Sequence, residues 1–265
     1  MNIQQYKDKD EQTAKTVLMI AAFLPALAVL FYSLITIGIL PLFVWLAALL
    51  TANLAMARIR ANSIQVSSDQ YPELYSVLED YSKKLSIKDI PELYVVREGE
   101  FNTYILKLAK SFSSQNVILL SSEVVDACYD SDSPESIRYA IAYSLAYVAY
   151  DYFGLLNRAL ALGAFVPFLY QWYLRCCILS CDALALAITE DYNTSKNMMF
   201  LLAGSNKLAK STNDEALIRQ WKQCNTLLAT QVTALISFEP HILLRFERIY
   251  EQKSNYSSVS LGKKE

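Results

Sequence analysis

The stretch Thr16–Ala57 reads TVLMIAAFLPALAVLFYSLITIGILPLFVWLAALLTANLAMA and contains no charged residue. A single straight helix of this length would be roughly 63 Å long, whereas the hydrocarbon core of a bilayer is only about 30 Å thick. The stretch therefore predicts two membrane-spanning helices, at about 17–35 and 42–57, that form a hairpin. Gly38 and Pro41 mark the turn between them, because both residue types interrupt helices.

The basic residues that flank this hairpin predict its orientation. They are Lys7, Lys9 and Lys15 before the hairpin and Arg58 and Arg60 after it, and the tip carries none. Since Lys and Arg are enriched in cytoplasmic loops, we expect both ends of the hairpin, and the domain that follows, on the cytoplasmic side. A cleaved signal peptide is the alternative interpretation, but its apolar core is much shorter than this stretch.

Composition argues against a nucleic-acid-binding protein and against a disulfide-rich one. The formal net charge is -2 and 19% of the residues are charged, so no basic surface of the kind that binds nucleic acid is expected. Five cysteines at irregular spacing indicate a reducing compartment rather than a disulfide framework. We divide the chain into a cytoplasmic N-terminal segment (1–15), the transmembrane hairpin (16–57), one domain (58–252) and a Ser- and Lys-rich tail predicted to be disordered (253–265).

Apolar residues downstream of the hairpin recur at helical spacing, and short apolar runs predict a few strands. Helices are predicted over 70–87, 122–128, 133–150, 173–189, 195–209, 214–235 and 241–252, and strands over 91–97, 102–105 and 116–121. The helix that Ser133 is expected to cap is apolar on most faces, which predicts a central position. The interrupted apolar stretch 155–174 is expected to be buried or to lie against the membrane, with a third span as the other possibility. The predicted fold class is α+β, mostly helical, with a small sheet.

Seven short motifs occur in a familiar order between about Ala61 and Tyr250. They are QYPELY (70–75), IPELYVV (90–96), NTYI (102–105), NVILLS (116–121), RYAIAYSLAY (138–147), YLR with SCD (173–175 and 180–182) and FEPH (238–241). This order, behind an N-terminal hairpin, resembles the HtpX-like membrane-anchored zinc metallopeptidases, the wider family that includes the CAAX prenyl endopeptidases. The resemblance implies a zincin-type, metallopeptidase-like domain.

The resemblance also implies where zinc chemistry would occur, and there this sequence departs from the family. Two histidines four residues apart on one helical face would hold the metal, and a glutamate between them would act as general base. Tyr143 and Tyr147 stand at the histidine positions, and Ser144 stands at the position of the base. Neutral tyrosine, with a pKa near 10, is a poor zinc ligand.

The family's residues are also replaced at two further site positions. By resemblance, the third zinc ligand, a glutamate, falls on Ile178, and the aligned histidine of the closing segment falls on Glu239. Only Asp182, a residue near the zinc in active members, is retained. The chain has a single histidine, so a shifted alignment cannot rebuild the site. We therefore expect no metal, no cofactor and no zinc peptidase activity.

Cysteines near Asp182 offer an alternative metal site. Cys176, Cys177 and Cys181 lie in the same predicted helix, and Cys177 and Cys181 share a face of it. The competing interpretation is that they are small hydrophobic residues, because free cysteine is among the most buried residue types.

Ser144, Asp182 and His241 offer an alternative nucleophilic triad. Ser144 and Asp182 would be near each other if the resemblance holds, and His241 lies in the closing segment. Against this, a serine in an ordinary helix lacks the strained turn that exposes a nucleophile. The competing interpretation is a solvated or capping histidine.

Two further features allow both a binding and a purely structural interpretation. Asn102, Thr103, Tyr104 and Ile105 are candidates for an edge strand that binds an extended peptide by strand addition, or they only complete the sheet. The tyrosines recurring through 139–150 form either a ligand-binding aromatic face or core filling.

Three functions remain open on these grounds. The first is a membrane-anchored pseudopeptidase that binds or regulates other membrane proteins or unfolded proteins. The second is an atypical metalloendopeptidase with a non-standard site. The third is a structural or assembly subunit of a membrane complex in which the cleft has no role.

Overall fold

The fold is mostly helical with a small sheet, which confirms the predicted balance of elements. The computed structural model describes residues 5, 7–8, 10–35, 39–97, 106–110, 116–130, 133–152, 154–160, 163, 166, 168–203 and 212–261. The helices are α1 (Glu11–Ile35), α2 (Ile39–Asn62), α3 (Pro72–Lys84), α4 (Ser122–Asp130), α5 (Ser136–Ala149), α6 (Leu155–Leu160), α7 (Leu169–Thr189), α8 (Tyr192–Ala203), α9 (Asp214–Asn225), α10 (Leu228–Ile236) and α11 (Ile242–Leu261). The strands are β1 (Ile64–Val66), β2 (Glu92–Val96), β3 (Leu106–Lys110) and β4 (Asn116–Ser121).

Three helices are long and apolar enough to cross a membrane, over Glu11–Ser33, Pro41–Asn62 and Leu169–Thr189. The first two match the two predicted spans in position. Their large apolar side chains point away from the protein, with Phe31 70% exposed and Phe43 69% exposed. Because apolar area of this extent is unfavourable in water, these two helices indicate that the protein associates with a membrane.

The stretch 155–174 is interrupted, as expected, and the third apolar helix begins inside it. The stretch divides into α6 and the start of α7, with Gly163 between them and Phe168 in the left-handed region at φ 67°. Most of α7 is buried inside the domain. It packs along α5 and forms the centre of the helical layer.

The sheet has the strand order β1-β2-β4-β3. β2 and β4 are parallel, and the outer pairs, β1 with β2 and β3 with β4, are antiparallel. β2 and β4 match the prediction, whereas the short β1 and the edge strand β3 were not predicted. The candidate peptide-binding residues 102–105 lie outside the described residues and directly precede β3.

Both faces of the central strands are covered. Leu93, Ile118 and Leu120 face the main core with α5, as the alternation of side chains in strands requires. Tyr94 and Val117 point to the opposite face, where Met56 and Ile59 at the end of α2 cover them. The second apolar helix, α2, therefore ends directly on the sheet.

Several predicted helix boundaries were wrong. The helix predicted over 214–235 divides into α9 and α10, because Leu227 adopts an extended conformation between them (φ −78°, ψ 130°). The helix expected to start at Ser133 has Glu135 as its N-cap, and the Ser133 hydroxyl instead accepts a hydrogen bond from the Asn197 amide.

The last helix also differs from the predicted disordered tail. α11 continues to Leu261, well past 252. The sequence from Ile242 to Leu261 contains neither Gly nor Pro, so nothing in the backbone ends the helix before Gly262.

Candidate functional site

The two tyrosines at the predicted zinc positions face each other across one turn of α5. The hydroxyl oxygens of Tyr143 and Tyr147 are 3.3 Å apart, and their ring centroids are 5.3 Å apart in an edge-to-face arrangement. The ring of Tyr152 extends the cluster, with its centroid 5.6 Å from that of Tyr147. The i, i+4 spacing that would direct two imidazoles to one metal thus places two phenol groups together.

Asp182, the retained acidic residue, lies in a buried ion pair beside these tyrosines. Arg245 of α11 donates from Nε to Oδ2 of Asp182 at 2.7 Å and from Nη2 to Oδ1 at 2.8 Å. The hydroxyl of Tyr139 donates a further hydrogen bond to Oδ1 at 2.8 Å. Both carboxylate oxygens therefore have partners, and this fork geometry is the strong form of an ion pair.

The ion pair and the aromatic cluster form one continuous unit. The guanidinium carbon of Arg245 lies 5.5 Å from the centroid of the Tyr143 ring, within the range of a cation–π contact. The rings of Tyr139 and Tyr143 stack, with centroids 6.4 Å apart. We call these residues, Tyr139, Tyr143, Tyr147, Asp182 and Arg245, the α5–α7–α11 cluster.

Burial determines the ionisation of this cluster. It raises the pKa of Tyr139 well above the ordinary value, and the negative charge of Asp182 raises it further. Burial likewise raises the pKa of Tyr143 and Tyr147. Burial alone would lower the pKa of Arg245, but the carboxylate of Asp182 outweighs it and the pKa is raised. At neutral pH the cluster thus contains neutral phenols and a charged guanidinium.

The residues at the other predicted site positions, Ser144, Ile178 and Glu239, make contacts that serve the fold. Ser144 is fully buried, and its hydroxyl donates to the carbonyl of Ala140 one turn earlier in α5. Ile178 is partly buried and packs on the main core, one turn before Asp182 on α7. Glu239 is exposed, and its backbone is bonded to the Ser237 hydroxyl in the turn before α11.

The alternative triad is not brought together. The imidazole of His241 lies against α10, with Nε2 3.3 Å from the carbonyl oxygen of Thr230 and 3.4 Å from the hydroxyl of Thr233. Ser144 is bonded within its own helix and Asp182 is paired with Arg245. The three groups therefore each have another partner and are not bonded to one another.

The cysteines considered as a metal site are buried without a ligand arrangement. Cys176 and Cys177 pack on α1, and Cys181 lies in the main core beside the tyrosines. In the part of the chain that the structure describes, no three His, Cys, Asp or Glu residues lie together in a way that could hold a metal ion.

A buried carboxylate that the sequence analysis missed lies at the start of α1. Glu11 is 1% exposed and accepts hydrogen bonds from Tyr152 and Ser180, each at 2.6 Å, and it pairs with Lys7 at 3.0 Å. The amide of Asp8 also donates to the Ser180 hydroxyl at 2.8 Å. We call this arrangement the N-terminal latch. The signal in the sequence was weak: an acidic residue five positions before the uncharged stretch.

Comparison with family models, with curated proteins and with solved structures finds no match for this chain.

Proposed function

We propose that this chain is a membrane-anchored pseudopeptidase, a degenerate relative of the HtpX-like metallopeptidases that acts by binding or regulating other proteins. The hairpin of α1 and α2 would cross the bilayer, and the domain would lie on the cytoplasmic side. The observation that carries the proposal is the α5–α7–α11 cluster, in which Tyr143 and Tyr147 stand where the family resemblance would put two of the zinc ligands.

The cluster supports loss of metal chemistry because its donor atoms are already satisfied. Both oxygens of Asp182 are bonded to Arg245 and Tyr139, and Arg245 brings a fixed positive charge that opposes a divalent cation. The phenols of Tyr143 and Tyr147 bond to each other and stay protonated at neutral pH. In this proposal, the side chains of the cluster stabilise the fold by packing and hydrogen bonding. In an active relative, bound zinc would provide that stabilisation.

The edge of the sheet supports the binding part of the proposal. Among the strands that the structure describes, β3 is paired with β4 and forms the end of the strand order, and an edge strand of this kind suits an extended segment that binds by strand addition. The candidate residues Asn102, Thr103, Tyr104 and Ile105 directly precede it. The expected partner is an extended segment of an unfolded protein or of another membrane protein.

Restoring the family's residues tests the lost site directly. We would combine Tyr143→His, Ser144→Glu, Tyr147→His and Ile178→Glu in the full chain, purify both proteins in a non-chelating buffer and measure zinc by elemental analysis. We expect near-zero zinc in the natural chain and about one per chain in the variant, as in a structural or catalytic zinc site. Zinc bound by the natural chain and lost on Asp182→Ala would favour the atypical metallopeptidase instead.

Crosslinking tests the binding role. A photoreactive phenylalanine analogue at Tyr104 should crosslink to a reduced, unfolded membrane protein added to the chain in lipid nanodiscs. The same analogue at Tyr71, which is 46% exposed, serves as the matched control. Equal crosslinking at both positions would contradict binding at the sheet edge and would favour a structural or assembly subunit.

A further inference from the structure

The exposed face of α10 has no protein cover within the described chain. Leu228 is 75% exposed and Ile236 is 55% exposed, and none of the nine described residues of α10 is buried. The sequence from Cys224 to Phe238 contains no charged residue. Contiguous apolar surface of this kind marks a contact with another protein or with a membrane.

One side chain fixes α10 to the start of α7. Nη1 of Arg175 donates to the carbonyl oxygens of Leu235 at 3.3 Å and of Ser237 at 2.6 Å. Arg175 lies less than two turns from Leu169, where α7 begins. The C-terminal end of α10 is therefore held beside the first turns of α7, and the position of those turns decides where α10 lies.

α1 runs antiparallel to α7 and leaves the domain at that same end. The N-terminal latch joins Glu11 to Ser180, in the middle of α7, whereas Leu18 packs with Tyr173, near its start. Beyond Ala22 the side chains of α1 that the structure describes are exposed or half-buried. The apolar part of α1 thus projects past the start of α7.

The length of the first span indicates how deep the start of α7 lies in the bilayer. A bilayer span of about 20 residues that ends at Ile35 begins near Thr16, so Leu18 lies inside the hydrocarbon boundary. Tyr173, which packs with Leu18, is then near that boundary, as are Phe168 and Trp172 at the start of α7. Phe168 is 49% exposed, and aromatic side chains are enriched at the membrane interface.

We propose that the exposed face of α10, together with Phe168 and Trp172, lies in the interface of the same bilayer that holds the hairpin. Its occupant is phospholipid, with the side chains of Leu228, Val232 and Ile236 among the upper acyl carbons. The exposed face of α10 is continuous with the proposed anchor, because α10 is attached to α7 at the point where α1 would enter the membrane. α10 is then an interfacial helix in addition to the two spans, and the inference rests on the proposed anchorage.

Lipid-borne quenchers test this contact in the full chain. In a Cys224→Ser background, the single changes Val232→Cys, Leu46→Cys and Arg219→Cys each receive an environment-sensitive fluorophore in phosphatidylcholine nanodiscs. Leu46 is 58% exposed within the second span and reports the anchor, while Arg219 lies on the exposed side of α9 and reports the aqueous surface. Nitroxide on the acyl chain near the headgroup is the quencher.

We expect a blue-shifted emission at position 232 and quenching several-fold greater than at 219. Strong quenching at 46 with water-like emission at 232 would overturn the inference and leave the proposed anchorage intact. Blue-shifted emission at 232 without lipid quenching would also overturn it, because a second protein chain would then cover α10. Absence of quenching at both 46 and 232 would overturn the proposed anchorage together with the inference.

Discussion

Arg245 and Asp182, 63 residues apart in the sequence, form a two-pronged ion pair in which neither side chain is more than 6% exposed. It joins α11 to α7 at the centre of the candidate site. A buried pair of this kind costs solvation on both sides, so its effect on stability appears mainly when one partner is removed.

Removing Arg245 alone should destabilise the domain strongly. Arg245→Met leaves the Asp182 carboxylate buried without its counter-ion, and we expect a loss of about 3–5 kcal/mol in the free energy of unfolding. The double change Arg245→Met with Asp182→Leu should recover most of that loss. Chemical denaturation in detergent measures both, and Arg219→Ala, which removes an exposed pair with Glu215, should change stability by less than about 1 kcal/mol. Equal effects of the single and double changes would contradict a buried charge.

Opening the N-terminal latch should release the first residues of the chain. Glu11→Ala leaves the hydroxyl of Tyr152 without its acceptor, at a cost of about 1–3 kcal/mol, while the hydroxyl of Ser180 keeps the carbonyl of Cys176 as an acceptor at 2.9 Å. We expect faster trypsin cleavage at Lys7 and at Lys15 than in the natural chain. Gln12→Ala, an exposed change in the same turn, is the control. Identical cleavage rates in the two variants would mean that Glu11 does not hold this segment.

The buried phenols should make the fold sensitive to alkali. Burial raises the folded-state pKa of Tyr143 above its ordinary value of 10.0, so the stability from the neutral phenol is complete below that pH and is lost as the pH rises above it. Tyr143→Phe removes the titrating group, and its free energy of unfolding should fall less steeply above about pH 10. Denaturation series from about pH 8 to 12 measure the slope. Tyr71→Phe, at an exposed position, should leave it unchanged.

The cysteines should differ widely in reactivity. Burial raises the pKa of Cys128 to about 12, so at about pH 8 only about one thiol in ten thousand is ionised, and the fraction rises about tenfold per pH unit. Cys224 is only half-buried. Thiol-specific labelling of the folded chain should show one fast group, which Cys224→Ser removes and Cys128→Ser does not. Two fast groups that include Cys128 would contradict its burial.

The two N-terminal apolar helices and the central strands could be predicted because each is marked by a contiguous run of apolar residues. A long stretch without charge has few structural interpretations, and the apolar runs of β2 and β4 suit strands that are buried on both faces. Three-residue β1 is too short to stand out. The break between α9 and α10 depends on the backbone of Leu227, inside an apolar sequence that continues a helical pattern.

The partners within the candidate site could not be predicted from local signals. The positions of Tyr143 and Tyr147 on one face of α5 followed from their spacing, but the pairing of Asp182 with Arg245 depends on how α11 crosses α7. The sequence around Arg245, LLRFER, resembles an ordinary amphipathic helix with an exposed arginine. The burial of Glu11 likewise depends on the distant residues Tyr152 and Ser180.

Residues of α1 and α2, within the first 62 residues, cover part of the sheet and part of the helical layer. Met56 and Ile59 shield Tyr94 and Val117 on the sheet, and Leu18 fills the space beside Tyr173 on α7. A truncated fragment that starts after α2 would therefore expose two apolar surfaces. We expect this fragment to aggregate when it is expressed without α1 and α2. Because α1 and α2 are synthesised before the domain, both helices are available to cover these two surfaces when the domain folds.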